Sequence, residues 1–467
     1  MAVEGRTHKP VVDRDLCQSC SVCLRECPAE LFPELRPDED TTRGYVYSNT
    51  DLAAREVFPP CFAACPLGQQ VRDYVRLLEV GNVKEALLVI RQDNPLPGVC
   101  GYICHHPCEE ACIRGSWDDP VSIRELKRYA AQYEMDHRGL IMETLIQRKE
   151  PARGKKVVIV GAGPAGLACG FESVMRGYEV TIMDALAQPG GMLAGGIPSF
   201  RLPRSVVDHD VGIIRSLGVR FLPSVRIGQD VSLRQVMKDD ADAVVLATGA
   251  WIDLTLDVPG EGAKGYLNCL DFLDAVNSAQ NVKLSGRVLV VGGGNAAIDT
   301  ARSALRLGAE QVIVVYRRSR EEMPANHEEV EAAIKEGVEV QYLLAPKRIL
   351  TENGGVTGLE LVRIELADFD EAGRRRPVLI EGSEYIEEAD VIITALGQRP
   401  GVSFLDVKAI SEHGTITRNA SGMVPGYEGL FAAGDAVSGP STVVEAMASG
   451  KVVAQQVMDY LEGMPRR

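Results

Sequence analysis

Short, continuous runs of apolar residues alternate with amphipathic segments through the last two thirds of this 467-residue chain. Val157–Val160 is one such run and Glu179–Met183 is another, and a segment with helical spacing from Pro164 to about Arg176 lies between them. Runs of this length predict strands that are buried on both faces, as in a parallel sheet covered by helices. The pattern therefore predicts a βαβ unit and an α/β fold.

The turn between the first strand and its helix has the spacing of a dinucleotide-binding site. Gly161, Gly163 and Gly166 follow the pattern G-x-G-x-x-G, which serves a tight turn, a close approach of backbone to pyrophosphate and close helix–strand packing. The helix begins at Pro164 and Ala165, where free N–H groups and a partial positive charge favour phosphate. A chance glycine-rich turn is the alternative, but strand, turn and helix all agree with the motif.

Later segments extend this site into a predicted flavin-binding unit. The loop GGMLAGGIPSFRLP is typical of a loop that covers a flavin, and DAVVLATG and GLFAAGD each predict a strand that ends in a tight turn. An acid after the second strand suits a ribose diol, and the acid of GLFAAGD suits the ribityl chain or the pyrophosphate, although a simple turn residue is the alternative. The positive end of the next helix would stabilise an anionic reduced flavin. The residues assigned here are Asp184, Gly190, Gly191, Arg201, Thr248, Gly249, Gly434, Asp435, Val443 and Val444.

A second nucleotide-binding pattern follows further along the chain. Arg287–Val291 predicts a strand, residues 292–297 a phosphate-binding turn, residues 298–308 a helix and Gln311–Tyr316 the next strand. The segment VIITALG then predicts a strand that returns the chain to the first unit. The residues assigned to this second site are Gly293, Gly294, Asn295, Ala296 and Gly397.

The residues after the second unit's Gln311–Tyr316 strand bear on the choice between NADP and NAD. Arg317 and Arg318 stand where NAD-binding proteins have an acid. Guanidinium groups suit the 2′-phosphate of NADP, so NADP is favoured. The alternative is that both arginines are solvated or pair with Glu321 and Glu322.

The cysteines are concentrated at the start of the chain, where ten of the 12 precede residue 113. The first four have the spacing C-x2-C-x2-C-x3-C-P, which is that of a bacterial ferredoxin and favours a [4Fe–4S] cluster over zinc. The remaining six lie in PPCFAACPLG and CGYICHHPCEEAC. The ten candidate ligands are Cys17, Cys20, Cys23, Cys27, Cys61, Cys65, Cys100, Cys104, Cys108 and Cys112.

The stretch between the ferredoxin-like motif and the first nucleotide unit predicts helices. VRDYVRLLEVGNVKEALLVIRQDNP indicates two short helices separated at Gly81, and Val121–Arg138 indicates a longer one. Pro107 argues against one uninterrupted helix through the cysteine-rich loop. His105 and His106 lie inside that loop and are interpreted as polar neighbours of a cluster rather than as ligands.

The predicted architecture is therefore two nested Rossmann-like dinucleotide-binding domains, with the NADP domain inserted in the FAD domain and a helical iron–sulfur domain before them. Residues 1–50 are predicted to form a ferredoxin-like segment and residues 51–150 the helical iron–sulfur domain. Residues 151–284 and 395–467 are assigned to FAD and residues 285–394 to NAD(P)H.

Composition excludes several classes of function. The formal net charge of −15 argues against nucleic-acid binding. No apolar run is long enough for a membrane span, and the N-terminus has no signal-peptide core, so a cytoplasmic location is expected. Residues 151–467 contain no C-x-x-C, which argues against thioredoxin-reductase chemistry. Cys169 and Cys269 are predicted to be buried packing residues.

From about Pro60 onwards the chain resembles the flavoprotein family of the glutamate synthase small subunit. Relatives of that family include the N-terminal half of dihydropyrimidine dehydrogenase and the large subunit of NADH-dependent ferredoxin:NADP oxidoreductase. The matching stretches are PPCFAACPLG, CGYICHHPCEEAC, VVIVGAGPAGL, GGIPSFRLP, VVGGGNAAID, YRRSREEMPA and FAAGDAV. The resemblance implies FAD, NAD(P)H and [4Fe–4S] clusters, with Asp435 as an FAD contact and Arg317 and Arg318 as NADP contacts.

Two departures from that family bear on the number of clusters. Relatives with two clusters in the helical domain have a further C-x2-C ahead of the C-x3-C-P, and this chain lacks one before Cys61. Some relatives use Glu or Gln as a ligand on the helix after the last cysteine, where this chain has Lys127. We expect two clusters, with Cys17–Cys27 supplying missing ligands; a third would need ligands other than cysteine.

The first functional reading is an electron-transfer flavoprotein, one subunit of a hetero-oligomeric enzyme. NAD(P)H would reduce FAD, and clusters would pass single electrons to or from a partner oxidoreductase subunit or ferredoxin, with no proton-transfer residue required. The alternatives are a free-standing ferredoxin:NADP oxidoreductase, a glutamate synthase small subunit, or a non-catalytic scaffold that holds clusters and docks partners.

Overall fold

The structure is a computed structural model that describes residues 59–239, 241–278, 280, 282–369 and 375–463. The predicted ferredoxin-like segment, residues 1–50, and its four cysteines lie outside these residues. None of the helices in the described ranges combines the length and apolar character that a membrane crossing requires.

The elements are numbered here in chain order. The helices are α1 (Pro60–Ala63), α2 (Val71–Glu79), α3 (Val83–Asp93), α4 (Pro97–Ile103), α5 (Pro107–Glu110), α6 (Ile123–Asp136), α7 (Met142–Arg148), α8 (Pro164–Met175), α9 (Met192–Gly195), α10 (Arg204–Ser216), α11 (Leu233–Asp239), α12 (Cys269–Asn277), α13 (Asn295–Arg306), α14 (His327–Glu336), α15 (Asp435–Ser438) and α16 (Val443–Leu461). The strands are β1 (Lys156–Val160), β2 (Glu179–Met183), β3 (Arg220–Leu222), β4 (Ala243–Leu246), β5 (Ile252–Asp253), β6 (Tyr266–Asn268), β7 (Arg287–Val291), β8 (Gln311–Tyr316), β9 (Glu339–Tyr342), β10 (Leu344–Glu352), β11 (Gly355–Phe369), β12 (Arg375–Leu379), β13 (Tyr385–Glu388), β14 (Val391–Thr394), β15 (Gln398–Arg399) and β16 (Leu430–Ala432).

The stretch before β1 is helical, as the sequence predicts. Helices α2 and α3 are separated at Gly81, and the side chain of Asn82 caps α3 by accepting from the Glu85 N–H. The cysteine-rich loop is divided between α4 and α5, and Pro107 is the first residue of α5. Proline is favoured at that position because its missing N–H would be unsatisfied there anyway.

The first sheet is parallel and has the order β16-β4-β1-β2-β3. Its residues alternate between two cores, because successive side chains of a strand point to opposite faces. Val157 and Ile159 of β1 face a core shared with the helical region, whereas Val158 and Val160 face a core on the other side. The strand β16 comes from the C-terminal part of the chain and closes one edge.

The second sheet is also parallel and has the order β6-β14-β7-β8-β9. The predicted strands Arg287–Val291 and Gln311–Tyr316 are confirmed to the residue. Strand β6 pairs with β14 in this sheet, although the sequence boundary at residue 285 assigned it to the first unit. VIITALG supplies the strand β14 inside the second sheet, so the chain leaves this unit only after Thr394.

A small antiparallel sheet, formed by β10, β11, β12 and β13, interrupts the second unit between β9 and β14. The sequence reading did not predict it. Two connecting segments join the parallel sheets, and they pair with each other as the antiparallel strands β5 and β15. The α/β fold class, with a helical region before the nucleotide-binding units, is confirmed.

The helical region and the first unit share one continuous hydrophobic core, which contains Cys100 and Cys108 as well as Val157 and Ile159. A buried ion-pair group crosses the same boundary: Arg91 bonds Glu134 at 2.6 Å and Asp210 at 3.0 Å. Because breaking one member of a buried charge group is costly, these contacts tie the helical region firmly to the first unit.

Candidate functional site

The glycine-rich turn after β1 has the tight geometry that the motif predicts. Gly161 has a φ of +111°, and a Cβ there would overlap the Ala247 carbonyl oxygen. A Cβ on Gly166 would overlap the Gly161 carbonyl oxygen, so the start of α8 lies directly on the turn. Gly163 is different, because the nearest atom to a Cβ there would be the Gly191 Cα at 3.9 Å. Side chains are therefore excluded by steric overlap at Gly161 and Gly166, whereas the space next to Gly163 is open.

Asp184 lies at the end of β2, where the sequence analysis places an acid for a ribose diol. One carboxylate oxygen accepts from the Ala162 N–H at 2.6 Å and the other from the Leu186 N–H at 2.7 Å. Burial raises the pKa of this carboxyl, and the two backbone N–H groups oppose that shift. The side chain joins β2 to the glycine-rich turn, and each oxygen keeps lone-pair capacity for a hydroxyl.

Gly190 and Gly191 place the predicted covering loop against the same turn. The Gly190 N–H donates to the Ala162 carbonyl at 2.8 Å, and a Cβ on Gly191 would lie 2.8 Å from the Gly163 Cα. The structure thus brings together the two glycine-rich segments that the sequence reading assigned to one site.

The turn after β4 contributes a buried polar atom to this region. The Thr248 hydroxyl oxygen is buried and has no hydrogen-bond partner within the described residues, and Gly249 follows it with a φ of +67°. A buried hydroxyl without a partner is costly, so it fits a site that a polar ligand completes.

The segment after β16 also lies against the start of α8. A Cβ on Gly434 would be 2.7 Å from the Ala165 Cβ, and the Gly434 N–H donates to the Ser449 hydroxyl at 2.9 Å. Burial raises the pKa of Asp435 to about 6, and its carboxylate accepts from the Ser441 hydroxyl at 3.0 Å.

The helix α16 begins beside this segment with a complete capping box. The Thr442 hydroxyl and the Glu445 carboxylate each bond the backbone N–H of the other residue. Val443 and Val444, the first two helical residues, follow the cap directly, and Val444 is buried. The N-terminal end of α16 is therefore well defined, and it follows the short helix α15, which begins at Asp435.

Arg201 is in the predicted covering loop, but its guanidinium group contacts the second unit. Nη1 lies 2.9 Å and 2.7 Å from the two carboxylate oxygens of Asp299, and Nε lies 3.2 Å from Glu329. Its side chain is 9% exposed and that of Asp299 is 5% exposed. The structure thus places Arg201 as a bridge between the two nucleotide-binding units.

The second glycine-rich turn has no room for a side chain at two of its glycines, whereas the space next to the third is open. A Cβ on Gly292 would overlap the Ala395 carbonyl oxygen, and a Cβ on Gly293 would overlap the Tyr316 ring. A Cβ on Gly294 would meet no atom within 4 Å. Helix α13 begins at Asn295, three residues earlier than the sequence predicts, so Asn295 and Ala296 belong to the helix.

Asn295 links this turn to the cysteine-rich loop. Its Oδ1 accepts from the Asn326 N–H at 2.9 Å, and its Nδ2 lies 3.3 Å from His105 Nε2. Burial lowers the pKa of His105, and the charges of Arg201 and His106 act in the same direction. The start of the second unit's phosphate-binding helix is therefore in direct contact with the helical region.

The two arginines after β8 have different environments. Arg317 is exposed, whereas Arg318 is buried and donates from Nε to the Arg375 carbonyl at 3.0 Å. Gly397, at the end of VIITALG, has a φ of +114°, and its carbonyl accepts from the Leu254 N–H at 3.0 Å. Arg317 is therefore the more accessible of the two arginines to a ligand that arrives from solution.

The six described cysteines of the helical region fall into two groups. Burial raises the pKa of the Cys108 thiol to about 12, while the charges of Cys104 and Cys65 raise it further and Lys127 opposes them. Cys100 is also buried; burial raises the pKa of its thiol, the charges of Cys104 and Cys65 act in the same direction, and Lys127 opposes them. We call Cys65, Cys100, Cys104 and Cys108 the inner cysteine group.

The outer cysteine group is the pair Cys61 and Cys112. Burial raises the pKa of Cys61, and the nearby charge of Cys112 also raises it. Helix α1, which carries Cys61, packs against α5 close to Cys112. In the described ranges, no three His, Cys, Asp or Glu side chains converge closely enough to hold a single metal ion.

The inner cysteine group has the donors and the buried polar atoms that suit an iron–sulfur cluster. The His106 N–H donates to Cys104 Sγ at 3.4 Å, and Gln69 Nε2 donates to Cys65 Sγ at 3.8 Å. Hydrogen bonds to cysteine sulfur are a regular feature of these clusters. The Tyr74 hydroxyl is buried without a hydrogen-bond partner in the described part of the chain. The inner group therefore fits a [4Fe–4S] cluster.

Lys127 and Asp299 are two features whose environment the sequence did not indicate. Lys127 is 3% exposed and lies beside the inner cysteine group, and Asp299 is the buried partner of Arg201. A lysine in a helical pattern is ordinarily read as a solvated face. The close crossing of α4 and α6 at Gly101, where a Cβ would lie 2.7 Å from the Arg128 Cα, explains the burial of Lys127.

Two protein families match this chain. Residues 155–450 match the family described as pyridine nucleotide-disulphide oxidoreductase. Residues 55–139 match the family described as dihydropyrimidine dehydrogenase domain II, 4Fe-4S cluster. These matches support FAD, NAD(P) and [4Fe–4S] clusters as the cofactors.

Relatives at 35–41% identity cover most of the chain. The NADP(+)-dependent formate dehydrogenase subunit beta of Moorella thermoacetica is 41% identical over 87% of this chain, which spans 60% of that protein. The NADPH-Fe(3+) oxidoreductase subunit beta of Geobacter sulfurreducens is 40% identical over 98% of this chain and 74% of its own length. The glutamate synthase [NADPH] small chain of Azospirillum brasilense is 35% identical over 92% of this chain and 95% of its own length.

Solved structures agree with the fold. FprA from Mycobacterium tuberculosis, in complex with NADPH, superimposes with a TM-score of 0.58 at 21% identity, over 67% of this chain and 85% of FprA. The two parallel sheets, the two glycine-rich turns and the cysteine-bearing helices agree with both family matches. This chain belongs to the pyridine nucleotide-disulphide oxidoreductase family, among the iron–sulfur flavoproteins that resemble the glutamate synthase small chain.

Proposed function

We propose that this chain is an electron-transfer subunit that moves electrons between NADPH and a partner redox subunit. When bound, FAD supplies hydride chemistry and the [4Fe–4S] clusters supply one-electron transfer, so the flavin converts paired electrons into single ones. The observation that carries the proposal is the continuous core that joins Cys100 and Cys108 to Val157 and Ile159. It supports a short route between the flavin unit and the inner cysteine group within one polypeptide.

FAD is proposed to bind across the first unit, residues 151–284 and 395–467. The open face of Gly163 and the first turn of α8, at Pro164 and Ala165, would receive the pyrophosphate. Asp184 would hold the ribose hydroxyls, and Thr248 and Asp435 would contact the rest of the cofactor. The N-terminal end of α16 would lie near the flavin pyrimidine and favour negative charge there.

NADPH is proposed to bind the second unit, residues 285–394 together with β6. The open face above Gly294 and the N-terminus of α13 would receive the pyrophosphate, and Arg317 would contact the 2′-phosphate. The Arg201–Asp299 ion pair would hold this unit against the covering loop of the flavin site. No side chain is assigned a proton-transfer role.

Two clusters are proposed, one for each cysteine group. The inner group would hold a cluster with Cys65, Cys100, Cys104 and Cys108 as ligands. Cys61 and Cys112 would hold a second cluster, with the missing ligands taken from Cys17, Cys20, Cys23 and Cys27. The proposal is supported by the proximity of the cysteines within each group and by the packing of α1 against α5.

The partner is proposed to be a subunit with its own redox centre. Two of the relatives are named as beta subunits, one of an NADP(+)-dependent formate dehydrogenase and one of an NADPH-Fe(3+) oxidoreductase. A glutamate synthase small chain is the second candidate, because the match covers 95% of that relative's length. A cytoplasmic location is proposed, since the eight described cysteines are all free of disulfides.

The proposal is tested by anaerobic titration of the purified chain with NADPH and, separately, with NADH. Iron and flavin are quantified first, and absorbance and EPR are recorded at each addition. We expect about eight iron atoms per flavin, since each [4Fe–4S] cluster carries four, and cluster reduction by substoichiometric NADPH. A preparation that binds flavin but no iron, or whose clusters stay oxidised with both nucleotides, would refute the proposal.

A further inference from the structure

Lys127 is a buried cation without a counter-ion among the described residues. Its side chain lies on α6 and is 3% exposed. Among the described residues, the charged groups that act most strongly on its ammonium group include no carboxylate. An ammonium removed from water without compensation costs several kcal/mol, so a fold that keeps one there must offset that cost with negative charge.

The close crossing of α4 and α6 brings the backbone of Lys127 near the inner cysteine group. Helix α6 crosses α4 at Gly101, where a Cβ would lie 2.7 Å from the Arg128 Cα and 2.8 Å from its Cβ. Lys127 and Cys100 are the residues immediately before Arg128 and Gly101, so both stand at this crossing. A larger residue at position 101 would separate the two helices.

The described groups that act most strongly on the charge of Lys127 are potential anions. Its electrostatic neighbours are Tyr74, Cys100, Cys104 and Cys108. The Tyr74 hydroxyl is itself buried without a hydrogen-bond partner in the described ranges. A buried cation and a buried hydroxyl without a partner are thus neighbours in the region of α2, α4, α5 and α6. A cluster held by cysteinate ligands carries net negative charge and would supply the missing counter-ion.

We propose that Lys127 is a fixed positive charge that raises the reduction potential of the cluster at the inner cysteine group. The inference rests on the proposed function, because it requires a cluster at the inner group. Reduction adds one electron, which the reduced flavin donates, and no bond forms or breaks. The reduced cluster is more negative than the oxidised one, so a nearby ammonium stabilises it preferentially. Burial makes the effect large, since screening by solvent is weak there.

The alternative is that the Lys127 amine ligates iron, as Glu or Gln is expected to do in related chains. The two roles make opposite demands on the nitrogen: a ligand must be neutral with a free lone pair, whereas a counter-ion keeps all its protons. Arginine separates them, because a guanidinium group keeps the charge and does not deprotonate in proteins.

The test is an EPR-monitored redox titration of the full-length chain and its variants. In Lys127→Met we expect the ratio of reduced to oxidised inner cluster, at a fixed solution potential, to fall at least tenfold, which is 59 mV for one electron. Lys127→Arg should stay within threefold of the unmodified chain. Lys84→Met is the matched control, since Lys84 is exposed on α3 and should leave the ratio unchanged.

The outcomes separate this inference from the proposed function. Iron retained in Lys127→Met with an unchanged ratio would overturn the role of Lys127 alone. Iron lost in Lys127→Met but retained in Lys127→Arg supports the need for charge. If both variants lose iron, pulsed EPR of the unmodified chain labelled with 15N-lysine decides: a directly bonded nitrogen overturns the inference and a weak through-space coupling supports it. A wild-type chain that binds no iron would refute the proposed function as well.

Discussion

Arg201 of the covering loop and Asp299 of α13 form a buried ion pair in which one guanidinium nitrogen lies 2.9 Å and 2.7 Å from the two carboxylate oxygens. The residues are 98 positions apart and belong to different nucleotide-binding units. Glu329 lies 3.2 Å from Arg201 and also pairs with Arg302. This small charge network sets the position of the second unit beside the proposed flavin loop.

The first prediction concerns the pH dependence of that pair. Burial raises the pKa of Asp299 to about 6, although Arg201 opposes the shift. The unfolded carboxyl titrates near its ordinary pKa of about 4, so between these values the folded chain holds a proton that the unfolded chain releases. Stability from this group is therefore complete below about pH 4 and is lost as the pH rises through 6, by up to about 3 kcal/mol.

Asp299→Asn removes this titration and provides the measurement. The Tm of the unmodified chain, relative to that of the variant, should fall between pH 5 and pH 7.5. Asp119→Asn is the control, because Asp119 is exposed and its substitution should leave the difference constant. A difference for Asp299→Asn that does not change with pH would contradict the prediction.

The second prediction concerns the close packing of α8 on its turn. Gly166→Ala places a methyl group onto the Gly161 carbonyl oxygen, so we expect a loss of about 1–3 kcal/mol of stability and most of the bound FAD. Gly212→Ala is the matched helical control, since a Cβ there meets no atom within 4 Å. It should retain FAD and gain up to about 1 kcal/mol. Flavin content and thermal midpoints are measured for both variants, and equal flavin content in Gly166→Ala and Gly212→Ala would contradict the prediction.

The third prediction concerns nucleotide preference. Arg317→Ser should raise KM for NADPH by about 10- to 100-fold, because a charged hydrogen bond to phosphate contributes about 1.5–3 kcal/mol. The KM for NADH should change little. Arg234→Ser, at a residue with an 84% exposed side chain on α11, is the control and should leave both values unchanged. Steady-state reduction of an artificial acceptor measures them; an equal effect on both nucleotides would exclude the assigned role of Arg317.

The fourth prediction concerns the two cysteine groups. Cys108→Ser and Cys112→Ser should each remove about four iron atoms per flavin, and together about eight, because each variant removes one [4Fe–4S] cluster. Cys269→Ser is the control, since Cys269 is buried in the second unit beside Thr300, whose hydroxyl lies 3.2 Å from its sulfur. Iron that falls to zero in both single variants would show that the groups do not hold separate clusters.

Much of the fold was predictable because buried parallel strands carry a local signal. Glu179–Met183, Arg287–Val291 and Gln311–Tyr316 are continuous apolar runs bounded by turn residues, and each strand has these limits in the structure. Helix α8 was predicted from Pro164 to about Arg176 and ends at Met175. Proline at the first helical position and the glycine-rich turn mark its start unambiguously.

The remaining features depend on contacts between distant parts of the chain. The Arg201–Asp299 pair results from packing between units and the burial of Lys127 from the crossing of α4 and α6, and neither leaves a local pattern. The antiparallel sheet of β10–β13 lies within the second nucleotide-binding pattern and was not predicted, because it depends on pairing between its strands. Strand β6 has three residues, too few to show a period, and was therefore not predicted.

Rapid mixing of the reduced nucleotide with the full-length chain shows the order in which the flavin and the clusters are reduced. Anaerobic stopped-flow absorbance follows the flavin, and samples frozen at matched times report the clusters by EPR. We expect flavin bleaching to precede the appearance of reduced clusters and NADPH to act faster than NADH. Flavin that bleaches while the clusters stay oxidised, or clusters that are reduced before any flavin, would contradict electron transfer from the flavin unit to the cysteine-rich helices.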